Sequence, residues 1–342
     1  MSIDRYLQRI WYSRSSVGAL LLLPLSWLFG MIVAVRAFAF RTRLLPSVRI
    51  RAPVIVIGNI TVGGTGKTPF TIWLAEQLTE RGWRIGVVLR GYGGHSKHWP
   101  RRVEVQTSWQ EVGDEARLIA SRTEHAIVVV DPDRVRAAQT AVEQGADIVL
   151  SDDGLQHYRL QRDVEILVID EQRQFGNGKL LPAGPLREPQ GRSREVDLRV
   201  ITRRAGHTTP SKSPLPDQPV VTVQPRLGVA VNMRTGARKP LQHFCGTPVH
   251  AIAAIGHPKA FFDSLRSQGL DIREHPYADH AALRSEDIDF RDSAVLMTEK
   301  DAVKCLSFAD DRHWVVPLEL EVSAADTEIV LNLLERIIRY RR

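Results

Sequence analysis

One stretch of this chain narrows its fold more than any other. Val54 to Gly58 (VIVIG) is a short, β-branched apolar run. Two residues later begins the glycine-rich segment Thr61 to Thr68 (TVGGTGKT), and from Pro69 to Arg81 apolar side chains recur at helical spacing. A buried strand, a glycine loop and a helix in that order form the context of a phosphate-binding loop. Glycines let backbone N–H groups turn inward, and the helix N-terminus adds partial positive charge. Thr61, Val62, Gly63, Gly64, Thr65, Gly66, Lys67 and Thr68 are therefore the expected cradle for ATP. Lys67 is placed to reach the β- and γ-phosphates, and Thr68 to offer its hydroxyl to Mg2+. The pattern G-x-x-x-x-G-K-[ST] asks for glycine where this chain has Thr61; Gly63 and Gly64 stand by as compensation. A cradle alone says nucleotide and names no reaction.

Further strands are expected at Arg84–Leu89, Ala126–Val130, Asp147–Leu150, Glu165–Ile169 and Leu198–Thr202, with helical patterns between several of them. That alternation implies an α/β fold, P-loop-NTPase-like, with a mostly parallel sheet covered on both faces and ligands at the strands' carboxyl ends. Ala205 to Gln218, rich in Thr, Pro, Ser and Lys, reads as an exposed loop. Beyond it, Val249–Ala254, Asp271–His275, Ala294–Thr298 and His313–Pro317 suggest a second, smaller α/β domain closed by a helix at Ala325–Tyr340. The expected division is 1–45, an N-terminal membrane-associated segment; 46–227, the kinase-type domain; and 228–342, the smaller domain.

An acid at the end of a buried strand is needed to hold magnesium beside such a cradle. Asp152 and Asp153, in SDDG after Asp147–Leu150, are the best placed; Asp131 and Asp170 also end strands and fit on spacing alone. Other polar clusters are Arg90-Gly91-Tyr92, Gly113-Asp114-Glu115, Gln156-His157, the LPAGPLREP loop with Arg187 and Glu188, Asp279-His280, and Thr298-Glu299-Lys300-Asp301. Taken singly, each is better explained by a helix cap or a surface ion pair.

Charge locates the partner. The net charge is +7, and residues 1–51 hold eight arginines against one acid, so the rest of the chain is neutral overall. The same segment contains Val17 to Val35, nineteen residues without a charge, with Trp11, Tyr12 and Trp27 as possible interfacial rings. Arginines flanking an apolar run suit an anionic membrane surface and not nucleic acid. Nineteen residues just span a bilayer. Pro24 within the run, Gly18 and Gly30, and basic residues on both flanks favour a monotopic element over a simple span; a core helix of a soluble protein is the alternative. The two cysteines, Cys245 and Cys305, read as reduced structural thiols.

Read in order, IGNITVGGTGKTP, RGYGG, GDEA, DDGLQH, LLPAGPLREP, YADH and MTEKDAVK resemble the tetraacyldisaccharide 4'-kinase family, the lipid A 4'-kinases of Gram-negative bacteria. The resemblance covers essentially the whole chain, and it makes Thr61 the expected variant of the loop. Ala116 stands where the family commonly has proline.

The resemblance implies transfer of the ATP γ-phosphate to the 4'-hydroxyl of a tetraacyldisaccharide 1-phosphate, giving lipid IVA. It implies a peripheral or monotopic enzyme on the cytoplasmic face of the inner membrane, with a cleft between two α/β domains. By the same carry-over Asp114 is the base, with His280 as its partner and Lys67 at the phosphates. Thr68, Asp152, Asp153 and Glu188 handle magnesium, with Arg187 beside the phosphates. Arg90, Tyr92, Glu115 and His157 are assigned to the acceptor side, and Glu299, Lys300 and Asp301 to the nucleotide side. A soluble P-loop kinase, and a membrane-associated nucleotide switch that modifies nothing, are the competing readings. No oligomeric state follows from the sequence.

Overall fold

A computed structural model describes residues 3–12, 17–203, 218–291 and 293–341. Apart from Gln218, the loop expected at Ala205–Gln218 lies outside them, as does Arg14. Among the described residues a nine-stranded sheet dominates. It runs, edge to edge, Leu318–Val322, Val220–Leu227, Leu198–Thr202, Val164–Asp170, Val54–Gly58, Ile148–Asp152, Ile85–Leu89, Ile127–Val130 and Arg101–Arg102. Only the two edge strands pair antiparallel. Val54–Gly58 is central, and all five of its residues are buried, as an apolar run without alternation requires. The helices Lys67–Glu80 and Asp114–Arg122 pack on one face through Phe70, Leu74, Leu78 and Ile119, and Arg134–Glu143 covers the other through Ala137, Ala138 and Ala141.

A six-stranded sheet forms the smaller unit: Arg238–Lys239, Ala230–Asn232, His313–Val316, Val295–Thr298, Val249–Ala253 and Ile272–Pro276. Its core is separate, built on Phe262, Leu265, Leu296 and Trp314. The division expected at 228–342 differs from the structure at its far end. Leu318–Val322 leaves the small sheet and pairs with Val220–Leu227 of the large one, and Ala324–Arg341 buries Val330, Leu331, Leu334 and Ile338 in the large unit's core. The small unit is thus an insertion whose two connections meet where Gly228 N donates to Pro317 O at 2.8 Å. The helical period of the last segment was readable; which sheet its apolar stripe covers was not.

At the N-terminus the uncharged run is two helices, Val17–Leu21 and Leu23–Arg41. Pro24 lies in the first turn of the second, where its missing N–H costs nothing, so it starts this helix instead of interrupting it. At nineteen residues, about 28 Å, the helix is long and apolar enough to cross a membrane, and no other described helix is. One stripe docks on the body: Ser26 Oγ donates to Leu180 O at 2.8 Å, and a Cβ on Gly30 would lie 2.8 Å from Leu180 Cδ1. The rest, including Trp27, Met31, Ile32 and Val35, is exposed. Trp11, expected as an interfacial ring, is buried, its Nε1 donating to Pro182 O at 2.9 Å.

Candidate active site

The cradle takes its shape from three local choices. Gly63 and Gly66 have φ of 109° and 89°, in the left-handed region that glycine alone enters freely. Thr61 needs no such freedom, because it is extended and bridges Leu186 while Val62 N donates to Pro185 O at 2.8 Å. Its place therefore never called for glycine, and no compensation by Gly64 is required. Asn59 ties the loop from within, its Nδ2 donating to Gly63 O and to Thr65 Oγ1 at 3.3 and 3.2 Å, and its Oδ1 accepting from Lys67 Nζ at 3.3 Å.

Strand order sets Asp131 apart, because Ile127–Val130 does not pair with the cradle's strand, whereas Asp152 and Asp170 both end strands that do; side-chain partners distinguish those two. Asp152 is opposite Ile57, on one of the two strands that pair with the cradle's own. Its buried carboxylate accepts from Thr68 Oγ1 at 3.3 Å and Thr71 Oγ1 at 3.2 Å. Asp131 is taken up by Arg136 at 2.9 Å, and Asp170 by the N–H groups of Gln172 and Arg173, both at 3.0 Å. Burial, reinforced by the negative charge of Glu115, pushes Asp152 up to about 6. Burial also opposes the charge on Asp153, but Lys67 at 3.3 Å and Arg187 at 3.1 Å outweigh it and hold that carboxyl at about 2. Glu188 is buried beside them through Gln156, whose Nε2 bridges Glu188 Oε2 at 2.8 Å and Asn59 O at 3.0 Å; Tyr158 donates to its other oxygen. Asp152, Asp153 and Glu188 do not converge on one point, and among the described residues no three His, Cys, Asp or Glu side chains form a metal-ligand group. Magnesium at a nucleotide needs only one or two protein oxygens, since phosphates and waters complete its shell. A carboxylate buried beside a threonine hydroxyl and pushed up by burial and by Glu115 fits that demand.

Beside the cradle a second cluster is assembled from both units. Asp114 opens the helix Asp114–Arg122 and is 3% exposed. His280 Nδ1 is 3.1 and 3.0 Å from its two oxygens, although 166 residues separate the pair. Burial opposes the Asp114 charge, but the His280 hydrogen bond and the charges of Lys300 and Lys304 outweigh it and hold the carboxyl below its ordinary value. That same bond, against burial, raises His280. The Tyr92 ring meets His280 edge-on at 5.1 Å. Lys300 Nζ reaches Glu115 at 3.3 Å, Asp279 at 3.4 Å and His280 Nε2 at 3.2 Å. The cradle is adjacent: a Cβ on Gly256 would be 3.8 Å from Gly64 N and 3.1 Å from Asp279 Oδ2.

Glu299 accepts from Arg122 Nη1 at 2.7 Å and Leu318 N at 2.9 Å, joining the units, while Lys300 and Asp301 stand with the Asp114–His280 pair. The helix cap on Thr298 forces this, since it fixes the first turn against Asp301. His157 is kept neutral, pushed down to about 4 by burial and by Arg134. Arg90 is exposed at the end of its strand, its charge felt by Arg134. Arg134 and Lys304 escaped sequence reasoning. Arg134 Nη2 donates to Asp152 O at 3.1 Å, and its burial was hidden in an ordinary DPDR turn.

A Gly-Lys-Thr cradle on a central parallel strand, an acid on a neighbouring strand and a carboxylate–histidine pair close by define a P-loop phosphotransferase. The profile of the tetraacyldisaccharide-1-P 4'-kinase family matches residues 18–338. A tetraacyldisaccharide 4'-kinase of Methylobacillus flagellatus is 43% identical over 342 residues, covering 98% of each chain, and one of Nitrosococcus oceani is 45% identical, covering 96% of this chain and 94% of its own. A crystal structure of LpxK from Aquifex aeolicus in complex with ATP aligns with a TM-score of 0.78 at 27% identity, covering 94% of this chain and 99% of the other. The chain belongs to the tetraacyldisaccharide 4'-kinase family.

Proposed function

We propose that this chain transfers the γ-phosphate of ATP to the 4'-hydroxyl of a tetraacyldisaccharide 1-phosphate, forming lipid IVA. The observation that supports the reading, given the family, is the buried Asp114 paired with the half-buried His280 beside the Lys67 cradle. Lys67 draws the β- and γ-phosphates in, and Arg187 with Asp153 fixes the lysine's approach. Thr68 and Asp152 hold magnesium, with Asp153 and, through Gln156, Glu188 supporting them; the ion, when bound, neutralises charge on the phosphates. Asp114 accepts the hydroxyl proton as transfer proceeds, and His280 orients it. A sugar hydroxyl does not ionise beforehand, so alignment in a loose transition state matters more than basicity.

The exposed face of Leu23–Arg41, flanked by arginines, keeps the enzyme on the cytoplasmic leaflet, where a four-chain acceptor resides. Asp114→Ala tests the assignment: turnover falls about a hundredfold or more while ATP affinity is kept. Near-normal turnover would sink it.

A further inference from the structure

We propose that Lys304 is a positioning residue for phosphoryl transfer: an ammonium sealed at the junction of the two units that holds the Asp114 carboxylate in place and in its charged form. This rests on the reading of Asp114 as the proton acceptor.

The Lys304 side chain has no exposure, so it touches neither substrate nor solvent. Its Nζ is 3.3 Å from Asp114 Oδ2 and 3.1 Å from Asp301 Oδ1. Asp301 is itself immobile, because its Oδ2 accepts from Ala254 N at 2.9 Å and from Thr298 Oγ1 at 2.7 Å. The lysine is thus anchored below by a carboxylate fixed to a strand end and a helix cap, and it presents its charge upward to Asp114. On the same helix, one turn earlier, Lys300 reaches His280 Nε2. Two lysines at i and i+4 therefore bracket the Asp114–His280 pair from its two ends.

Burying an ammonium costs several kcal/mol, and a well-packed apolar pair joins two helices as firmly without that cost. An apolar side chain cannot keep a buried carboxylate ionised. The groups facing Asp114 are Glu115 from its own helix and His280, Lys300 and Lys304 from the small unit, with Asp279 and Asp301 behind them. Removing Lys304 leaves Asp301 facing the carboxylate without its cation, so the proton affinity of Asp114 rises. Removing the charge of Asp301 leaves Lys304 to Asp114 alone, and that affinity falls.

The test is kcat/KM against pH for the full-length enzyme, Lys304→Gln, Asp301→Asn and Asp114→Ala, with ATP binding measured beside it. Lys304→Gln moves the acid limb up by about one pH unit or more, the usual effect of losing an opposite charge at this range; Asp301→Asn moves it down. ATP affinity changes less than about twofold in both. Lowered kcat with both limbs unmoved means mere structural support and overturns the proposal. If Lys304→Gln does not fold, Asp301→Asn decides alone, by a downward shift or none. Near-normal turnover in Asp114→Ala overturns the base assignment and this proposal together, whereas unmoved limbs with Asp114→Ala inactive overturn only the role of Lys304.

Discussion

Gly113 precedes the proposed base, and its replacement by alanine is a sharp test of how that base is held. Its φ of 88° and ψ of 154° lie in a region open essentially to glycine, and a side chain there costs on the order of 1–3 kcal/mol. Space compounds the conformational cost: a Cβ would lie 2.3 Å from the carbonyl oxygen of Tyr92, a backbone atom with no rotamer to escape by. Reaching even the closest tolerated approach of 3.0 Å demands a movement of about 0.7 Å in one of the two segments. Either segment touches the same group, since Asp114 bonds His280 and the Tyr92 ring packs on it. A displacement near 1 Å in a positioned base lowers rates by about a hundredfold. Gly113→Ala is therefore expected to lose about one to two orders of magnitude in kcat and a few degrees in Tm, with ATP affinity within about twofold. Thermal melting, nucleotide titration and ADP release measure the three. Unchanged kcat, with or without lost stability, would refute the claim that Gly113 sets the position of Asp114.

The raised carboxyl of Asp152 gives a pH dependence with a definite sign. Because burial lifts it from the ordinary value to about 6, the magnesium-free protein loses stability as pH rises from about 4 to about 6, by roughly 3 kcal/mol from this group. Mg2+ with a nucleotide analogue should then raise Tm more at pH 7.5 than at pH 5.5, and an equal rise at both pH values would count against Asp152 as the ion's ligand. Replacing the exposed Met31, Ile32 and Val35 by serine removes apolar side chains worth about 1.5–3 kcal/mol each when buried in lipid. Vesicle flotation with anionic phospholipid should fall more than tenfold while ATP binding persists; undiminished flotation would contradict the membrane role of this helix.

What the sequence made legible was local. A β-branched run, a glycine loop and a lysine identify one another because strand burial, positive φ and phosphate charge act within about fifteen residues, and the boundaries of Val54–Gly58 and Leu198–Thr202 coincide with expectation. What it concealed was adjacency. Asp131, Asp152 and Asp170 are equivalent strand-end acids until the strand order moves Ile127–Val130 away from the cradle's strand and the hydroxyls of Thr68 and Thr71 meet Asp152 rather than Asp170. The Asp114–His280 contact joins two units, so only a family resemblance pointed to it. Lys304 lay in a helical pattern where lysine ordinarily means solvent, and its burial depends on a helix of the other unit packing over it. Pro24 misled because proline stops a helix in its middle and starts one at its first turn, and composition does not say which.

Phosphate transfer itself is the most direct measurement. The purified chain, incubated with γ-labelled ATP, Mg2+ and a tetraacyldisaccharide 1-phosphate in mixed micelles, should yield a bisphosphorylated lipid carrying the label at the 4' position. Folded protein that binds ATP yet leaves the lipid unlabelled, or labels only a water-soluble acceptor, would contradict the account.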